Sequence, residues 1–137
     1  MRVRTMFIIL AFISVFSSGC GTYRYKAYDG PTLPQSEIAT IETDSRLEVQ
    51  VAYVDGKKTL SVFDFLLWGK WPGIVYVKPG AHEIVPCFST PYYELYNGTL
   101  KIDAQAGQTY IVKHRLEEPK KVIFWIEDSK STEPTVK

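Results

Sequence analysis

From residue 37 onward, apolar positions recur at every second residue. Ile38–Thr43 is a short apolar run, and Leu47, Val49, Val51 and Tyr53 alternate with Arg46, Glu48 and Gln50, the pattern of a strand with one buried face. Asp55-Gly56 follows, a pair that tolerates the positive φ of a tight hairpin, and Thr59–Phe63 is the expected return strand. Ile74–Val77 predicts another strand, Lys78-Pro79-Gly80 a turn and Ala81–Phe88 a strand leaving it, which together read as a second hairpin. Leu100 and Ile102 mark a further strand, residues 103–108 a loop, and Tyr110, Val112 and His114 alternate with Ile111 and Lys113. Val122–Glu127 is apolar on both faces, as in a central or doubly covered strand. Only Ser61–Trp68 loses the alternation and suggests a helical turn, closed by Gly69, Pro72 and Gly73. Seven or eight short strands, with turn signals about every 8–12 residues, predict an all-β chain folded as a small antiparallel β-sandwich.

The N-terminus follows a different plan. Met1–Thr5 is basic, Met6–Phe16 is apolar apart from Ser14, and Ser17-Ser18-Gly19-Cys20 follows, the three-part layout of a secretory signal. At about 1.5 Å per residue the apolar run covers roughly 17 Å as a helix, short of the roughly 30 Å hydrocarbon core. Accepting the small flanking residues extends the uncharged stretch to Thr5–Thr22, which keeps an N-terminal transmembrane helix as a second reading. The small residues ending on cysteine resemble a bacterial lipoprotein signal. That resemblance implies a diacylglyceryl group on the Cys20 thiol, cleavage just before it, acylation of the new amino terminus and no cofactor. Gly19 and Ser18 fit the small positions before the cysteine, whereas Ser17 stands where the family prefers an aliphatic residue. Gly21, in place of Asp, implies the outer membrane by enterobacteria-like sorting, with the domain facing the periplasm. The expected organisation is then a signal peptide over 1–19, a lipidated N-terminus and tether over 20–36, a sandwich over 37–128 and a polar tail over 129–137. The tether contains Asp29-Gly30-Pro31 and Pro34 as breakers, and Tyr23, Tyr25 and Tyr28 suggest that part of it lies on a surface. Fully extended, it would reach about 55 Å.

Composition narrows the function. With 137 residues, 45% of them apolar and 23% charged, the chain can bury one core and is not expected to be disordered. Sixteen Lys and Arg balance fifteen Asp and Glu, so the clustered basic excess of a nucleic-acid binder is missing. Lipid on Cys20 would leave Cys87 as the sole thiol of the mature chain, expected to be a small buried hydrophobe within an apolar alternating stretch.

The search for chemistry yields little. His82 and His114 lie on separate expected strands, and no H-x₃-H, C-x₂-C or HExxH spacing is present, so no metal site is expected. No G-x-S-x-G elbow or phosphate-cradling glycine loop occurs, and Asp64, Glu83, Glu94 and Asp103 are scattered singly. An enzyme would need a cleft bringing His82 or His114 to a carboxylate or a nucleophile. Asn97-Gly98-Thr99 matches a glycosylation sequon but reads better as a tight-turn pair. Two aromatic stretches stand out, Phe63–Pro72 and Pro91–Tyr96. They plug the open ends of the sandwich, or they form an exposed patch in which Trp68, Trp71, Tyr92, Tyr93 and Tyr96 meet an envelope protein, a glycan or a membrane interface.

The stretch Val75–Val85, with Pro79-Gly80 in its turn, resembles the hairpin of PEGA-type and carboxypeptidase-regulatory-like sandwich domains. Together with Tyr28–Pro31, Glu37–Ile41, Val54–Gly56, Ala106–Tyr110 and Trp125–Asp128, it is similar to a group of small uncharacterised bacterial lipoproteins. The resemblance implies a scaffold and an export route and carries no catalytic residues. The expected function is therefore that of a non-enzymatic, lipid-anchored interaction or structural module of the cell envelope, with a small-molecule or glycan-binding module as the alternative.

Overall fold

The computed structural model describes residues 23–45, 48–61, 66, 69, 71–117 and 120–129. Cys20 and the signal before it, Trp68, most of the expected helical turn over Ser61–Trp68 and the tail beyond Ser129 lie outside the described residues. Ten strands run in chain order: β1 Arg24–Lys26, β2 Ala39–Thr43, β3 Val49–Val54, β4 Lys57–Lys58, β5 Ile74–Val77, β6 Gly80–Ser89, β7 Glu94–Tyr96, β8 Leu100–Ala104, β9 Thr109–Glu117 and β10 Lys121–Asp128. They form two sheets, one ordered β1-β5-β2-β9-β10 and the other β4-β3-β6-β7, with β8 also pairing β6. All pairings are antiparallel except β1 with β5 and β2 with β9. The chain is an all-β sandwich, with ten strands where seven or eight were expected.

Alternation builds the core as expected. Ile41, Val49, Val51, Val75, Val77, Ile84, Val112 and Val122 are fully buried between the sheets, each such side chain contributing about 1.5–3 kcal/mol relative to exposure. Asp55 at φ 50° and Gly56 at φ 73° make the expected turn between β3 and β4, with positive φ at both central residues. Tyr110 pins the loop after β8: its hydroxyl donates to Asp103 O and accepts from the Gln105 N–H.

Several expectations are corrected. Ile74–Val77 and Ala81–Phe88 are not a hairpin, because β5 belongs to the first sheet and β6 to the second. Pro79 and Gly80, at φ 127°, carry the chain from one sheet to the other. Two strands facing one core from opposite sides show the same alternation as two paired strands, so the local pattern reports the turn and not the pairing. Part of the expected tether is strand: β1 pairs with β5, Tyr25 and Ala27 pack on the core, and Tyr23 is buried with its hydroxyl donating to Thr59 O at 3.3 Å. Three residues are too few to display a period. The return strand expected over Thr59–Phe63 is only Lys57–Lys58. β10 is outermost in its sheet and not central. Its apolar run reflects Val122, Phe124 and Ile126 packed on the core and half-buried Ile123 and Trp125 on the other face. Asn97-Gly98 reverses nothing, since β7 and β8 both run antiparallel to β6 along the same edge.

That last arrangement follows from a proline. Pro86 is fully buried in the middle of β6. Glu83 O accepts from the Asp55 N–H at 2.8 Å and the Ser89 N–H donates to Glu48 O at 2.7 Å, so odd-numbered backbone groups of β6 point toward β3. By alternation the Pro86 ring nitrogen faces the other edge. There the neighbouring strand is broken at residues 97–99, between β8 opposite Gly80–Ile84 and β7 opposite Cys87–Ser89. The missing N–H falls where the ladder has no partner to satisfy.

β3 needs a different repair. Its register with β6 slips between Val51 and Tyr53, a bulge at Ala52, and β4 is too short to cover the edge beyond Tyr53. Thr59, with no exposed surface, fills in: its hydroxyl donates to Val51 O at 2.6 Å and its N–H to Ala52 O at 3.0 Å. The Val51 N–H donates to Pro72 O at 2.9 Å. Thr59→Val keeps the shape and removes the hydroxyl, leaving a buried carbonyl short of a donor at a cost of about 1–3 kcal/mol. Urea unfolding should show a clearly lower midpoint for Thr59→Val than for Thr59→Ser; equal midpoints would contradict this role.

Candidate functional site

The exposed aromatic side chains gather at β7. Thr90 shapes the approach: its Oγ1 accepts the backbone N–H groups of Tyr92 and Tyr93 at 3.3 and 3.2 Å, and its own N–H donates to Tyr93 O at 2.9 Å. This tight turn pushes Tyr92 out, so that it is 91% exposed, with Tyr93 at 38% and Tyr96 at 46%. Lys120 Nζ lies 5.8 Å from the Tyr93 ring centroid, within cation–π range. The Asn97 side-chain amide donates to Val122 O and ties the break after β7 to β10. Exposed aromatic groups with a cation at the rim have the make-up of a protein-contact surface.

Tyr96 is the fixed member of the group. Its hydroxyl donates to Glu94 Oε2 at 2.7 Å and is bonded to the Cys87 thiol. Partial burial and the bond to the Glu94 carboxylate both push the Tyr96 phenol well above its ordinary range. Cys87 is fully buried. Burial pushes its thiol up to about 11, with the Glu94 charge acting the same way and the bonds to Tyr96 and the Leu95 backbone opposing. A thiol so placed packs as a small hydrophobe and holds Tyr96 from beneath.

Trp71, expected either to plug the sandwich or to join these tyrosines in an exposed patch, is buried. It packs with Ala52 and Cys87 on the outer face of the second sheet, 6.0 Å from the Tyr53 ring, with Lys58 Nζ 5.1 Å from its ring centroid. β3 is consequently buried on both faces and not half-buried as its alternation suggested. Trp68 lies outside the described residues. Of the five candidates, the structure brings together Tyr92, Tyr93 and Tyr96. Lys120, which joins Tyr93, was not singled out from sequence because it sits on the β9–β10 turn, distant in the chain.

Both histidines meet carboxylates. His82 Nδ1 lies 2.7 Å from Asp55 Oδ2 and its Nε2 2.7 Å from Lys78 O, so both ring nitrogens are occupied. His114 Nδ1 lies 2.8 Å from Asp44 Oδ1, its backbone N–H donates to Asp44 Oδ2, and its ring packs 5.6 Å from Phe88. Among the described residues no hydroxyl or thiol is bonded to either ring, and a carboxylate–histidine pair alone lacks the nucleophile of a triad. Among the described residues, no group of three or more His, Cys, Asp and Glu side chains is placed to hold a metal ion. Comparison of the chain with family models, with curated proteins and with solved structures finds no match.

The Asp55–His82 pair ties the β3–β4 turn to β6 and makes stability depend on pH. Partial burial acts to raise the Asp55 carboxyl, but the bond from the Glu83 N–H, the bond and charge of His82 and the charge of Lys57 outweigh it and hold the group below its ordinary 3.8. A depressed folded value stabilises fully above the unfolded one, and the stabilisation is lost as pH falls through the folded value. Asp55→Asn, which keeps a residue tolerant of positive φ, should melt below the wild type at neutral pH. The gap should close as the pH falls below 3.8. A gap that stays constant with pH would contradict the assignment.

Proposed function

We propose that this chain is a bacterial lipoprotein of the kind its sequence resembles, with a PEGA-like sandwich held by lipid on Cys20 at the periplasmic face of the outer membrane. Its role is that of a non-enzymatic interaction module, without metal or cofactor. The observation that carries this reading is the exposure of Tyr92, Tyr93 and Tyr96, three aromatic side chains within five residues at and just before β7. Desolvating such a group needs a partner, and aromatic side chains held by local bonds lose little entropy when they bind. The N-terminal pattern supports the envelope setting, since the small residues after the apolar run end on Cys20.

An envelope protein is the favoured partner because Lys120 and Glu94 beside the rings offer charge of both signs at the rim. A glycan stacked on Tyr92, the most exposed ring, is the second reading. Two experiments test the proposal. Globomycin should make a larger, uncut precursor accumulate, and Cys20→Ala should release the protein from membranes; unchanged processing, or a firmly bound variant, would refute the anchor. Photo-crosslinking groups at positions 92 and 93 in intact cells should capture one envelope protein that a group at Lys113 does not. Loss of the adduct in Tyr96→Ala would tie it to the patch. Equal capture from all three positions would refute a specific surface, and shifts of the tyrosine resonances on adding peptidoglycan fragments would replace the protein partner with a glycan.

A further inference from the structure

β1 carries its cations outward. Tyr25 and Ala27 pack on the core, so by alternation Arg24, Lys26 and Tyr28 lie on the opposite face. They border a depression of about 350 Å³ whose walls also include Gln35, Ile38 and Tyr76. Lys26 stands opposite Tyr76 in the β1–β5 register. Lys26 Nζ lies 5.0 Å from the Tyr28 ring centroid, and Lys78 Nζ, just past the end of β5, lies 5.9 Å from it. Among the described residues Arg24, Lys26 and Lys78 are in no ion pair, as is also true of Lys57, Lys58 and Lys113, whereas Lys101, Arg115 and Lys121 are each paired with a carboxylate. Asp29 and Glu37 belong to the same segment, yet among the described residues no carboxylate lines the depression. Cations without carboxylate partners, set beside tyrosine rings, suit the membrane interface. There guanidinium and ammonium groups meet phosphates and tyrosines sit at the level of the headgroups.

The chain length points to the same surface. Buried Tyr23 is the third residue after Cys20, and three extended residues reach at most about 11 Å. Lipid on Cys20 would therefore hold β1 at about one Debye length, roughly 8–10 Å, from the headgroups. The tether that could have reached about 55 Å is largely consumed by the fold, because residues 24–26 are strand.

We infer that the β1 edge lies on the bilayer that holds the Cys20 lipid, and that the depression at Arg24, Lys26 and Tyr28 takes a headgroup phosphate. This rests on the lipid attachment proposed above. β1 and β7 occupy opposite edges of the sandwich, β1 next to Thr59 and β4, β7 next to β10. The tyrosine patch then faces away from the membrane, where a partner in the compartment can reach it.

The test uses the full lipidated chain in nanodiscs of phosphatidylethanolamine and phosphatidylglycerol that carry a gadolinium-chelate headgroup. Amide relaxation should be strong at Arg24–Tyr28 and Tyr76 and weak at Glu94–Tyr96. At roughly fivefold preference for an anionic surface per cation, the three cations together favour this pose on the order of 100-fold. The triple variant Arg24→Ala, Lys26→Ala, Lys78→Ala should even out the relaxation, and so should high salt. Uniform relaxation in the wild type, or no change in the triple variant, would overturn the inference. So would shifts at Arg24 and Lys26 on adding inorganic phosphate without preferential relaxation by the headgroups, which would mark a free-phosphate site. Protein that washes off the nanodiscs refutes the Cys20 anchor, and protein that stays on with β7 nearest the headgroups refutes the orientation alone.

Discussion

Pro86 sits buried in the middle of β6, between β3 on one side and the β7–β8 edge on the other. A continuous strand along that edge would set a carbonyl opposite a ring nitrogen with no hydrogen to give, in a place from which water is excluded. The edge is instead divided into β7 and β8, and the three residues between them supply the Asn97 amide to Val122 O on the facing sheet. The division has a functional consequence. β7 becomes a three-residue strand whose approach is set by Thr90 and whose end is tied to β10, and the exposed tyrosines lie in that approach, Tyr92 and Tyr93, and on the strand itself, Tyr96. The surface most suited to a partner is thus a product of the one backbone donor that the sheet lacks.

The opposite side of β3 meets the complementary problem, an edge left open by a strand of two residues. Thr59, Pro72 and Trp71 close it together: hydroxyl and carbonyl satisfy the backbone of Val51, and the indole covers Ala52 and Cys87. Lys58 lies over the outer face of that indole, keeping the edge charged and poorly disposed to pair with another chain. The apolar segment, readable from its composition as a plug or as a binding loop, is at Trp71 a lid for the sheet.

Elements whose residues carry their own period were legible in the sequence. Ile74–Val77, the Asp55-Gly56 turn and the alternation of β9 appear where they were expected, because each is dictated by side-chain pattern or by positive φ within a few residues. Pairing was not legible. β5 and β6 face one core from different sheets, a relation that leaves no local trace, and β10 is apolar on both faces while lying at an edge. β1 was hidden by its brevity among prolines and glycines. For the candidate site, the tyrosines were visible as a dense aromatic stretch, but the sequence could not tell exposed Tyr92 from buried Trp71. That distinction depends on which strand lies beneath each ring. Lys120 joined Tyr93 only through tertiary contact.

The two edges of the sandwich divide the labour in the proposed function. β1, close behind Cys20, brings cations without carboxylate partners among the described residues, and tyrosines, to one side, and β7 with the turn before it brings exposed aromatic rings to the other. A domain seated on the membrane by the first edge and read by a partner at the second requires that Cys20 be the lipid-bearing first residue of the mature chain. The intact mass of the protein extracted from bacterial membranes measures this most directly. The proposal predicts a chain that begins at Cys20 and carries the added mass of a diacylglyceryl group and an amide-linked acyl chain. A mass equal to the unmodified chain from Met1 onward would contradict it.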